Sequence, residues 1–210
     1  MDYLIFIFIV FLLCSLNFSA IYISRFSSTP ENKPTTHIGA SYIWRSHSKF
    51  AGLIIFLGDS ILKGFFPIFA AKLIFDFDQI QFKNLIDLGR ETYLIPIIFA
   101  QVLGFNWSIF LKLKGGRGMA LIVGIALGLN IFSAIILYVI YILGWLKIRD
   151  GGPSWILALL MASIASIIFS TATSVSLALC LFLTLLKRVT GNAMPVNYTM
   201  IKKRLLFDKD

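Results

Sequence analysis

Lys114-Gly115-Gly116-Arg117-Gly118 stands out in an otherwise apolar chain. Three glycines leave backbone N–H groups open to close approach by a ligand. Successive N–H groups can form an anion-binding nest, and a helix beginning at Met119 would bring its positive dipole end nearby. Lys114 and Arg117 add two full charges. Together they suit a phosphate or an acyl phosphate. They equally suit a flexible basic turn. A Walker A loop is excluded, because GxxxxGK[ST] is absent.

Two further groups go beyond what membrane insertion needs. Thr35-Thr36-His37-Ile38-Gly39-Ala40-Ser41-Tyr42-Ile43-Trp44-Arg45 offers hydroxyls, one imidazole, a glycine and a guanidinium. Arg45 can grip a phosphate bidentately, which a lysine does less well. The plainer reading is a polar juxtamembrane loop anchored by Tyr42 and Trp44. Asp59 and Lys63 are four residues apart, which puts both on one helix face. An ionisable residue within a membrane span is a functional hypothesis by default. The plainer reading is a self-neutralising pair with a snorkelling lysine. Gly64 and Pro67 follow, so a bend is expected there. His37 and His47 have no acids spaced to make a metal set. GxSxG, HEXXH and HX4D are all absent, so no side-chain nucleophile relay is visible.

These groups must be carried by membrane helices. Hydrophobic residues are 58% of the 210, and charged ones only 14%. Soluble domains run about 45–50% apolar and about 25% charged. The chain could not cover a soluble surface with polar groups, so an all-α integral membrane protein is expected, as one polytopic domain over residues 1–210. A crossing needs roughly 20 mostly apolar residues. Residues 3–23, 50–75 and 92–113 qualify. The run from Met119 to Trp145 is too long for one crossing, and Asn130 divides it into a short helix over 119–129 and a second over 131–146. The run 153–186 holds two spans, divided by the polar cluster Ser170-Thr171-Ala172-Thr173-Ser174. That makes about seven helices, the fourth unusually short. A five-helix alternative keeps both long runs whole. Cys14 and Cys180 lie in apolar runs without CxxC spacing, and read as packing residues.

Nineteen Lys and Arg against ten Asp and Glu give a net charge of +9. With the N-terminus outside and the C-terminus cytoplasmic, the inside segments collect most of the bases. They carry Arg25, Lys33, Arg45 and Lys49, then Lys112, Lys114 and Arg117, then Lys147 and Arg149, then the C-terminal group from Lys187 to Lys209. The outside segments keep Lys83 and Arg90 beside Asp76, Asp78, Asp87 and Glu91. This asymmetry fits the positive-inside rule. The surplus charge also favours anionic lipid headgroups, at about 1 kcal/mol per base near the surface. Nucleic acid is not an expected partner.

The ordered set of motifs resembles the bacterial acyl-phosphate-dependent glycerol-3-phosphate acyltransferases, the PlsY family. That family's first motif reads roughly GSGNxGATNxxR. Gly39, Ala40 and Arg45 agree with it, and Thr35 and Ser41 keep a hydroxyl. Gly52, Asp59-Ser60-Ile61-Leu62-Lys63-Gly64 and Gly104 leading to Lys114-Gly115-Gly116-Arg117-Gly118 follow in the family's order. Several positions depart. His37 and Tyr42 stand at motif asparagines, Phe105 at the histidine after Gly104, Ser108 at the motif proline, and Arg117 at the second lysine of KGGKG. The third motif, roughly RHRENIxRLxxGxE, is reduced to Lys187-Arg188-Val189-Thr190-Gly191-Asn192.

The resemblance implies transfer of a fatty acyl group from acyl phosphate to glycerol 3-phosphate, giving lysophosphatidic acid for phospholipid synthesis in a bacterial cytoplasmic membrane. It implies no cofactor and no metal. Its role assignment makes Arg45, Ser41, Lys114 and Arg117 catalytic. It makes Thr35, His37, Gly39, Lys63, Gly115, Gly116 and Gly118 substrate-binding, with Lys63 a supporting base oriented by Asp59. The competing reading is a non-catalytic relative, either a lipid-binding membrane protein or a carrier of a phosphorylated solute.

Overall fold

The computed structural model describes residues 2–26, 39–75, 91–192, 200, 201 and 204, and every element among them is helical. The first span comprises α1 (Tyr3–Ser15) and α2 (Phe18–Phe26). A short helix α3 (Ala40–Ser46) precedes the second span. That span comprises α4 (Lys49–Leu57), a π-helical segment (Gly58–Phe65) and α5 (Phe66–Ile74). Helix α6 (Leu94–Asn106) continues through a 3-10 turn at Ile109–Leu111. Then come α7 (Met119–Leu129), α8 (Ile131–Ile148), α9 (Gly151–Ala165) with a 3-10 turn at Ser166–Ile168, and α10 (Thr171–Thr190).

Six of these runs are long and apolar enough to cross a membrane, and α7 is the shorter apolar helix between them. The expected divisions have local causes. Asn130 closes α7, and its side-chain oxygen accepts from Phe132 N at 2.8 Å, capping α8. Ser170 does the same for α10 through Thr173 N. The polar cluster therefore divides the run as expected, with Ser170 at the start of α10. Asp150 caps α9 through Gly152 N at 2.9 Å.

The first span departs from expectation. It is broken at Leu16 and Asn17, where an uninterrupted helix was expected. The bend expected near Pro67 is a whole π-helical segment. Pro67 has no N–H and its ring excludes the carbonyl four residues back, that of Lys63. Bare carbonyls are costly in a membrane. Gln101 Nε2 donates to Lys63 O at 2.6 Å and to Gly64 O at 2.9 Å, and Cys14 Sγ approaches Lys63 O at 3.6 Å. One buried amide on α6 thus completes the irregular turn.

Close packing depends on small residues, as is usual where apolar burial gives helices no preference over lipid. A Cβ on Gly124 would run into Ser60 O, and one on Gly64 into Leu121 O, so α7 and the π-helical segment touch backbone to backbone. Gly104 packs likewise against Phe11 O of α1. Around these contacts lies a core that includes Ile68, Ile97, Leu121, Ile125, Leu159 and both cysteines.

One end of the bundle is closed by Tyr3, Phe75 and Tyr93. Tyr3 donates to Tyr93 O, and its ring meets Phe75 edge-on at 5.4 Å. Nearby in sequence, Lys72 joins Glu91 at 3.1 Å and donates to Leu129 O at 3.0 Å. A cation at the C-terminus of α7 is favoured by the helix dipole. Helices α1 and α6 each have 13 residues, about 20 Å at 1.5 Å per residue. Both end where the 114–118 turn begins. Helix α7 starts from that turn, and its 11 residues span about 16 Å to the Lys72 cluster. That is shorter than the roughly 20 residues a full crossing takes.

Candidate active site

The 114–118 turn is placed by the irregular chain before it. Ser108 is buried, and its φ of −56° is one a proline would hold. Its hydroxyl donates to Ser15 O at 2.5 Å, and its carbonyl accepts from Leu113 N at 2.8 Å. Lys112 and Leu113 both lie in the left-handed region, with φ of 53° and 64°. Each such non-glycine residue costs on the order of 1 kcal/mol or more, and surrounding bonds must enforce it. Lys114 N then donates to Leu111 O at 3.1 Å, which leaves the Lys114 side chain exposed.

The glycines have a reason the sequence did not reveal. A Cβ on Gly115 would strike the carbonyls of Phe105 and Asn106, and one on Gly116 would lie 2.6 Å from the Phe105 ring. The close approach is made by the end of α6, which brings the turn's backbone flush against that helix. Gly118 has φ of 73°, where glycine is favoured, and it begins α7 with Ile122 N donating to its carbonyl at 2.8 Å. The positive end of α7 therefore adjoins the turn.

The end of α10 supplies what sequence reasoning missed. Lys187 and Arg188 are both buried. Lys187 Nζ donates to Asn192 Oδ1 at 3.0 Å, and Asn192 Nδ2 donates to Gly115 O at 3.4 Å. Lys187 also lies 5.3 Å from the Trp107 ring centre and within Coulombic reach of Arg117. Arg204 Nη1 reaches Thr190 O at 3.4 Å. The degenerate third motif thus folds directly onto the glycine turn. The signal available in the sequence was the Lys187-Arg188 pair closing a long apolar run.

Lys63 lies behind the turn and is fully buried. Its ammonium is 2.6 Å from Asp59 Oδ1 and 2.5 Å from Leu16 O. It sits 3.8 Å from the Phe18 ring centre and 5.2 Å from that of Phe105. The expected Asp59–Lys63 pair is formed, and Phe105 stands between Lys63 and Gly116.

The remaining expected residues belong to a separate element. Gly39 begins α3, with Ser41 and Arg45 exposed along it. Arg45 Nε donates to Ser41 O at 3.2 Å within the same helix. Helix α3 is pressed against α4, where a Cβ on Gly52 would lie 2.7 Å from Trp44 Cα. It is tied to α2 through His47, whose ring is 6.0 Å from Tyr22 and 5.9 Å from Tyr42. The structure therefore joins Lys63, Gly115, Gly116 and Gly118 through Phe105 and Asn106. The described bonds of Arg45 and Ser41 stay within α3. Thr35 and His37 lie outside the described residues.

The charge balance favours an anion. Of the four acids among the described residues, Asp59 is paired with Lys63 and Glu91 with Lys72 at the other end. Asp150 caps α9, and Asp2 precedes α1 beside the Tyr3 end. Lys114, Arg117 and Lys187 gather at a backbone turn opening a helix. No group of three or more potential metal ligands gathers among the described residues.

Residues 4–193 match the family model described as glycerol-3-phosphate acyltransferase. A glycerol-3-phosphate acyltransferase of Nitrosomonas eutropha is 31% identical over 159 residues, covering 75% of this chain and 74% of that protein. A protein of the same description from the Wolbachia of Brugia malayi is 32% identical over 134 residues, covering 64% of this chain and 61% of that one. Among solved structures, PlsY in its glycerol 3-phosphate form superposes with a TM-score of 0.75 at 21% identity, covering 89% of this chain and 88% of that one. The lysophosphatidic acid form gives 0.73 at 20% identity, covering 95% and 98%. The shared fold is that of an integral membrane protein, and the chain belongs to the glycerol-3-phosphate acyltransferase family.

Proposed function

We propose that this protein transfers a fatty acyl group from acyl phosphate to the hydroxyl of glycerol 3-phosphate, releasing inorganic phosphate and lysophosphatidic acid for phospholipid synthesis. The observation that carries the reading is the joining of Asn192 to Gly115, which sets Lys187 beside a basic glycine turn at the start of α7. The turn, with Lys114 and Arg117, seats the phosphate of the donor. Lys187 extends that seat. Ser41 and Arg45 on α3, with Thr35, His37 and Gly39, hold the acceptor or close the pocket. Lys63 supports from behind.

The chemistry asks little of a protein nucleophile. Phosphate is already a good leaving group from an acyl phosphate. The attacking hydroxyl loses its proton to a phosphate oxygen of the substrates, the new ester C–O bond forms, and the acyl C–O bond to phosphate breaks. The protein contributes orientation and stabilisation of charge on the departing phosphate. A basic turn carried between apolar helices suits a substrate whose tail stays among lipid chains while its head meets cations. The reading places the protein in the bacterial cytoplasmic membrane with its N-terminus outside and its C-terminus in the cytoplasm, as one domain over residues 1–210.

The test uses purified protein in lipid vesicles given a long-chain acyl phosphate and glycerol 3-phosphate. Phosphate release matched by lysophosphatidic acid is the expected result. Phosphate release without acylation of glycerol 3-phosphate would assign another acceptor, and no release would refute the enzyme reading.

A further inference from the structure

The break in the first span leaves carbonyls at the end of α1 without helical partners. Two of them are taken by side chains from elsewhere. Ser15 O accepts from the Ser108 hydroxyl, and Leu16 O accepts from the Lys63 ammonium, both at 2.5 Å. Each donor residue is also in contact with the chain that forms the turn. The Ser108 carbonyl accepts from Leu111 N at 3.2 Å and Leu113 N at 2.8 Å, fixing the left-handed pair before Lys114. Lys63 lies 5.2 Å from the centre of the Phe105 ring that fills the space beside Gly116. Gln101, one helical turn before Phe105, holds the carbonyl of Lys63 itself.

We propose that Lys63 and Ser108 are positioning residues, which clamp the 114–118 turn to the open carbonyls at the break in the first span. Lys63 is 0% exposed and Ser108 1%, so neither is offered as a contact of the substrate. Lys63 acts through Leu16 and Phe105. Ser108 acts through Ser15 and the strained pair at Lys112 and Leu113. The broken first span is thus the fixed reference for the phosphate seat. This inference rests on the reading that the turn seats the donor's phosphate.

Lys63→Met alone would leave Asp59 buried without its partner, so the informative variant is Asp59→Asn with Lys63→Met, beside Ser108→Ala. Each is reconstituted in vesicles, and folding is followed by thermal melting in detergent. The expected result is a rise in KM for a long-chain acyl phosphate and in the inhibition constant of inorganic phosphate, by one common factor of roughly tenfold, from displacement of the seat. KM for glycerol 3-phosphate stays near the wild-type value, and Ser108→Thr, which keeps the hydroxyl, restores the constants of Ser108→Ala. Unchanged constants in folded variants overturn the proposal, even if melting falls, because that pattern marks a merely structural role. Gly116→Leu separates the two levels. Loss of activity there with unchanged positioning variants overturns the clamp alone, whereas full activity in all of them overturns the phosphate seat and the clamp with it.

Discussion

Asn192 donates its side-chain amide to the carbonyl of Gly115 at 3.4 Å, although 77 residues separate them. That bond brings the end of the last described helix onto the turn that begins α7. It also orients Lys187, whose ammonium sits 3.0 Å from the same side chain.

Replacing Asn192 with alanine should therefore lower kcat/KM for the acyl donor by about tenfold, the equivalent of one hydrogen bond of about 1.4 kcal/mol. Lys187→Met should act in the same direction and more strongly, since it removes a charge-assisted contact as well. Steady-state assays in vesicles check both. Donor KM should move further than acceptor KM.

Arg45→Ala tests the separate contribution of α3. A guanidinium directed at a substrate phosphate should be worth about a hundredfold in kcat/KM or more. Arg45 is exposed, and among the described residues its Nε donates to the Ser41 carbonyl within α3, so melting should be unchanged. Full activity in the folded variant would remove α3 from the site.

Gly124→Val tests the packing that sets α7 beside the π-helical segment. Any Cβ there meets Ser60 O, a backbone atom that cannot swing aside. The expected cost is about 3 kcal/mol, read as a lowered melting temperature and poor yield from membranes. Gly39, where nothing among the described residues lies within 4 Å of an added Cβ, serves as the control for melting temperature alone.

Gln101→Leu should cost about 2 kcal/mol, because it removes the buried amide donor to Lys63 O and Gly64 O beside Pro67. Gln101→Glu should be at least as harmful, since a carboxylate offers those carbonyls no donor when ionised. Thermal melting in detergent reads both.

Some of this was legible in the sequence because it is local. Asn130 and Ser170 are good helix starters, and each begins a helix where a long apolar run needed dividing. Asp59 and Lys63 lie four apart, and a helical turn of nearly any kind brings them together. The basic glycine turn was visible by composition. Other features are tertiary and left no periodic trace. Gln101 reads as one polar residue in an apolar helix, and only the irregular turn before Pro67, whose carbonyls at Lys63 and Gly64 it meets, gives it a task. Asn17 begins α2 by accepting from Ala20 N at 2.9 Å, so the break near Leu16 has a local mark, while Lys63 and Ser108 from other segments take up the carbonyls it frees. Gly115 and Gly116 suggested access for a ligand, whereas their missing side chains also admit Phe105 and Asn106. Lys187 and Asn192 looked like the remnant of a motif until the fold carried them to Gly115.

The most direct measurement is the KM for a long-chain acyl phosphate of Arg117→Gln in vesicles, taken beside wild type at saturating glycerol 3-phosphate. A phosphate seat at the 114–118 turn predicts a rise of about tenfold or more, with inhibition by inorganic phosphate weakening in step. A variant that is folded, active and unchanged in both quantities would contradict it.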